Sequence, residues 1–136
     1  MIGVLIITHG NLGGELILAA EMIKGQLTGV IPISVDSEKG IEEIKKEITS
    51  AIKKVDRGEG VLILTDLFGG TPSNIALSFL KEGKIEVVTG VNLPMLLKLE
   101  IRKEKSLAEL AYFLKDYGRK NISLASEILK REVGAK

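Results

Sequence analysis

Along this chain, short apolar runs rich in β-branched residues take turns with longer segments of helical period. Few architectures accommodate that alternation. Ile2–Thr8, Val30–Val35, Val61–Thr65 and Ile85–Thr89 read as strands, and the continuous apolar run of Ile2–Thr8 is that of a strand buried on both faces. Between them, Glu15–Lys24 puts Leu16, Ala19, Ala20 and Ile23 on one face, with Gly25 closing the helix. Ile41, Ile44, Ile48, Ala51, Ile52 and Val55 repeat the helical rhythm with Glu and Lys opposite. Thr71-Pro72 opens a helix running to Leu80, with Thr71 as its cap and Pro72 at its first position. Further helical segments are expected at 94–103, 106–117 and 121–132. Parallel strands need crossover helices, so the expected fold is an open, mostly parallel α/β sheet of four strands in the order 2-1-3-4, helices on both faces.

The chain has 136 residues, which the length prior reads as a single domain over 1–136, large enough for a core that needs no disulfide or metal. No linker, repeat or low-complexity stretch divides it. Cysteine is absent, which removes thiolate metal clusters and Cys nucleophiles and suits a reducing compartment. A formal net charge of +1 and 4% aromatic residues without Trp give neither the basic footprint nor the stacking platform of a nucleic-acid binder. The opening apolar run has no basic flank and stops at His9, and no later run approaches the ~20 apolar residues of a membrane span. A soluble, cytoplasmic protein is expected.

In open α/β sheets ligands bind beyond the carboxyl ends of the strands, where the strand order reverses. For the order 2-1-3-4 that point lies between the first and third strands, just after Thr8 and just after Thr65. His9, the only histidine, and Asp66 stand there. A carboxylate on one imidazole nitrogen would fix the tautomer and free the other nitrogen as nucleophile or base. Separately, each has a plainer explanation, His9 as a loop-edge residue and Asp66 as a polar cap on the turn. Gly69-Gly70-Thr71 follows, where glycine lets backbone approach closely and a helix start offers unpaired N–H groups to an anion. A phosphoryl group on His9 could be held by the Gly70 and Thr71 amides and the Thr71 hydroxyl, although a plain helix cap would use the same residues. No Walker loop or Gly-x-Gly-x-x-Gly spacing is present, and no acidic pair follows the first strand as a receiver domain requires. One histidine without cysteine makes no zinc set. Leu93–Leu97 reads as core packing, with a dimer or partner contact as the alternative, and Arg102–Lys105 as a solvated helix end.

Taken together, Thr8-His9-Gly10, Ala20-Glu21-Met22, Gly60–Asp66 through Gly69-Gly-Thr-Pro-Ser-Asn74, and Gly90–Leu96 resemble the mannose-type EIIA domain of the bacterial phosphoenolpyruvate-dependent sugar phosphotransferase system. The resemblance is collinear from residue 1 to about residue 120. It implies a cytoplasmic phosphocarrier whose histidine accepts a phosphoryl group from phospho-HPr and passes it to an EIIB component. EIIB in turn phosphorylates a sugar entering through membrane components EIIC and EIID. By position, His9 is the phosphorylated residue, Asp66 its orienting carboxylate, and Thr71 the hydroxyl near the phosphate. Neither metal nor other cofactor is implied. The family usually forms homodimers, some exchanging a C-terminal edge strand, whereas Lys120–Lys136 here reads as helix followed by a short tail. Two other readings stay open: an EIIA-like carrier serving a dihydroxyacetone kinase, and a non-catalytic regulatory docking module.

Overall fold

A computed structural model describes residues 1–134. Four strands, β1 (Gly3–His9), β2 (Val30–Val35), β3 (Val61–Thr65) and β4 (Ile85–Thr89), form one sheet in the order β2-β1-β3-β4 with every pairing parallel. The expected order and direction are both found.

Side-chain alternation splits the core into two layers. Val4 and Ile6 of β1, with Leu62 and Leu64 of β3, face one side, where they meet α1 (Leu12–Lys24), α4 (Leu93–Leu97) and α5 (Leu107–Lys120). Leu5 and Ile7, with Val61 and Ile63, face the other and meet α2 (Ile41–Val55) and α3 (Thr71–Leu77). This explains the unbroken apolar runs: a strand covered on both faces has no polar positions to spare. At the start of β1 the packing leaves no room for a side chain, because a Cβ on Gly3 would lie 2.5 Å from the Val55 carbonyl oxygen.

The helices differ from expectation mainly at their ends. α1 starts at Leu12 rather than Glu15, because the Thr8 hydroxyl accepts the Gly13 N–H at 2.9 Å and fixes the first turn earlier. α3 stops at Leu77 rather than Leu80; the Ser78 hydroxyl donates to the Ile75 carbonyl at 2.6 Å, and the next residues continue as three-residue turns. The segment expected as one helix over 94–103 is two, α4 and a 3₁₀ helix over Leu99–Glu104. Met95 and Leu96 are buried, so the Leu93–Leu97 run packs into the core.

Arg102 corrects the sequence reading outright. Expected on a solvated helix end, it is 4% exposed. The 3₁₀ segment turns it inward under the start of β1, a rotation that helical periodicity at 3.6 residues per turn does not anticipate. At the chain's end, α6 covers Ala125–Gly134, and no strand follows β4 among the described residues. The last two residues of the expected tail lie outside them. No helix among the described residues is long and apolar enough to cross a membrane.

Candidate active site

Parallel pairing of β1 with β3 brings Ile7 opposite Thr65, so the residues just beyond both strands emerge side by side at the carboxyl edge. There, Asp66 Oδ2 accepts two hydrogen bonds from His9, one from its backbone N–H and one from ring Nδ1, each 2.9 Å long. Its other oxygen accepts the Leu67 N–H at 3.1 Å. The carboxylate therefore grips the histidine at backbone and ring together, which restricts both the position and the rotation of the imidazole.

Exposure divides the pair usefully. The Asp66 side chain is 9% exposed and that of His9 52%. Burial by itself would raise the Asp66 carboxyl, but the bonds from the His9 N–H and ring, attraction to the ring, and its own backbone N–H outweigh it and hold the group below the ordinary aspartate range. An ionised Asp66 is an acceptor only, so the contact requires the Nδ1–H tautomer and leaves the lone pair on Nε2.

Nε2 faces Gly70. A Cβ added to Gly70 would lie 2.8 Å from His9 Cε1 and 3.2 Å from Nε2. Its backbone is extended, with φ −96°, so the requirement for glycine here is space beside the ring. Gly70→Ala is accordingly expected to fold but to push the imidazole from its seat. Misplacing a reacting atom by about 1 Å costs on the order of 10²-fold, so with His9 as the phosphoryl acceptor that the resemblance implies, transfer should slow by roughly ten- to a hundredfold. Quench-flow transfer assays would check this, and a rate within twofold of the parent would show that the ring needs no such clearance.

The other residues of the loop depart partly from expectation. Thr71 is not the cap of α3: Gly70 holds that position without a side chain to bond, and Thr71 begins the helix with its side chain exposed and no hydrogen bond among the described residues. Gly69 adopts φ +102°, a conformation that favours glycine, and its N–H donates to the Ser73 hydroxyl at 3.3 Å instead of facing outward free. Ser73 is completely buried and Thr8 likewise. These two hydroxyls shape the loops that carry the site, Thr8 by bonding the Gly13 N–H and the Gly10 carbonyl, Ser73 by bonding Gly69. Sequence reasoning assigned neither a task; the available signal was a hydroxyl residue closing an apolar strand and another four residues after a glycine. Leu67 and Phe68, exposed in the loop after Asp66, give the same edge an apolar rim together with Leu12 at the start of α1.

Residues 3–114 match the family model EIIA-man, described as the phosphotransferase-system fructose IIA component. The chain is 34% identical over 133 residues to the fructose-specific EIIA component of Bacillus subtilis (strain 168), covering 96% of this chain and 91% of that protein. It is 31% identical over 124 residues to the mannose-specific EIIAB component of Escherichia coli (strain K12), where it spans only 38% of the longer protein. The crystal structure of a phosphotransferase-system EIIA component from Streptococcus agalactiae superposes with a TM-score of 0.84 at 25% identity, covering 93% of this chain and 99% of that one. The chain, with its histidine clamped at the switch point of the same fold, belongs to the EIIA-man family of sugar phosphotransferase-system components.

Proposed function

We propose that this chain is, as one domain, a cytoplasmic phosphocarrier that accepts a phosphoryl group on His9 Nε2 from phospho-HPr and passes it to an EIIB component. The observation that carries the reading is the pair of hydrogen bonds from His9 to Asp66 Oδ2, which leaves the remaining lone pair on Nε2 of a half-exposed ring, beside Gly70. In the forward step the Nε2 lone pair forms the new N–P bond as the N–P bond of the donor phosphohistidine breaks, and that electron pair stays on the donor ring. The Nδ1 proton remains shared with Asp66, whose charge offsets the cation developing on the imidazole. The Gly70 and Thr71 N–H groups and the Thr71 hydroxyl are the candidates to hold the phosphoryl oxygens. Gly69 contributes the turn more than a donor, since its N–H is engaged. The acceptor histidine or other nucleophile of EIIB then repeats the exchange in reverse.

Both partners are proteins, and a shallow edge with an apolar rim of Leu12, Leu67 and Phe68 suits docking better than a closed pocket would. EIIB would connect this chain to the membrane components EIIC and EIID. Likeness to fructose- and mannose-specific relatives supports the sugar-transport branch over service to a dihydroxyacetone kinase. We also place the chain in a homodimer, as its family resemblance implies, and light scattering giving the mass of one chain at micromolar concentration would contradict that part. The test of the reading is discharge: the phosphorylated chain should lose its label rapidly to an EIIB component of the mannose-type system and not to a dihydroxyacetone kinase subunit. Rapid discharge to the kinase alone would overturn the sugar assignment. Partner binding unaffected by loss of His9, with no transfer, would favour a regulatory docking module.

A further inference from the structure

The buried Arg102 has a use that the His9 site does not account for. Its guanidinium lies beneath the start of β1, where Nη1 donates to the Ile2 carbonyl at 3.4 Å and Nη2 to the Thr28 carbonyl. Nε is buried without a partner. No carboxylate forms an ion pair with Arg102 among the described residues. A guanidinium offers five donors, so two backbone carbonyls leave most of its capacity unspent and its charge unmatched. Such a charge is costly to bury, and burial accordingly pulls the group below its ordinary value.

Beside it is a cavity of about 140 Å³, lined by Arg102, Lys24, Lys103, Gln26, Thr28 and Glu100 among others. A single water needs only roughly 10–15 Å³ of such space, so the cavity is ample for a small polyatomic ion. Its lining holds three basic side chains and one carboxylate, Glu100, which is already engaged by Lys24 at 3.2 Å; the amino group of Met1, another lining residue, is paired with Glu59. Lys103 has no ion-pair partner among the described residues.

We propose that this cavity is a binding site for a small oxyanion, phosphate or a short carboxylate, that supplies the counter-charge Arg102 lacks. The geometry separates it from the catalytic edge. Arg102 bonds Ile2 at the amino end of β1, and Ile2 is seven residues from His9 at the carboxyl end, which at ~3.3 Å per residue is roughly 20 Å. An anion bound there would leave the His9 rim open to a docking protein, so the site is suited to sensing a small metabolite rather than to transferring a group.

The test uses the full chain labelled with ¹⁵N, titrated with sodium phosphate and separately with sodium acetate at constant ionic strength set by chloride. Amide signals of Gln26–Gly29 and Leu99–Lys103 should shift and saturate. Lys103→Gln and Lys24→Gln should each weaken that binding by roughly threefold, the scale of a single exposed charge contact. Saturation by phosphate alone, by acetate alone or by both would support the site and identify its anion class. Shifts that remain linear, that ignore both lysine substitutions, or that gather only at Gly70 and Thr71 would overturn it, leaving Arg102 as a clip between Ile2 and Thr28. Binding should persist unchanged in His9→Ala, so failure of the phosphocarrier reading and failure of this one are told apart.

Discussion

His9→Ala and His9→Gln should accept no phosphoryl group from phospho-HPr, a loss of at least about 10⁴-fold, as befits removal of a nucleophile. The fold should be untouched. His9 is half exposed and lies beyond the last buried residues of β1, so its truncation opens no cavity in either core layer. Circular dichroism should match the parent, and denaturant midpoints should fall only by the ring's share of the Asp66 contact, on the order of 1 kcal/mol. Transfer at the parental rate in either variant would take the reaction away from this residue.

Asp66→Asn is the second large effect and a different kind. The amide can still occupy the space and its oxygen can still accept, yet it carries no charge, and its NH₂ can equally well donate to Nδ1 of the other tautomer, which the acceptor-only Asp66 Oδ2 cannot. The ring then loses its enforced tautomer, and the developing imidazolium loses its counter-charge. Partners that orient a functional histidine typically account for 10- to 100-fold, so transfer should fall on the order of 10²-fold, or about 2.7 kcal/mol of barrier at 1.36 kcal/mol per tenfold. A linked pH effect follows from the lowered carboxyl. A group whose folded value lies below its unfolded one, ~3.9 for aspartate, stabilises the fold above that pH and loses the contribution as pH falls through the folded value. Urea midpoints below about pH 4 should therefore drop in the parent by a component that Asp66→Asn lacks. Equal rates would remove Asp66 from the mechanism, and parallel pH curves would remove the linkage.

Much of this was legible in the chain itself, for identifiable reasons. Apolar runs such as Val61–Leu64 admit no polar face, so they had to be central strands, and central parallel strands determine where the order reverses. His9 and Asp66 follow from that topological point without any side-chain geometry. What escaped depends on tertiary bonds that local pattern does not encode. Gly70 rather than Thr71 holds the cap of α3, and a glycine stands there because a Cβ would press on the His9 ring, a demand made by a residue far away in sequence. The Gly69–Ser73 bond is local, yet a buried serine reads the same as an exposed one. Arg102 was misread because the break after α4 re-aims the following residues, and a charged run gives no sign of which member turns inward.

The most direct measurement is intact-protein mass spectrometry after incubation with phosphoenolpyruvate, enzyme I and HPr, followed by peptide mapping under conditions that preserve phosphohistidine. The account predicts a single acid-labile phosphoryl group on the peptide containing His9 in the parent chain and none on His9→Ala. A phosphoryl group on any other residue, or none at all when the HPr present is itself phosphorylated, would contradict it.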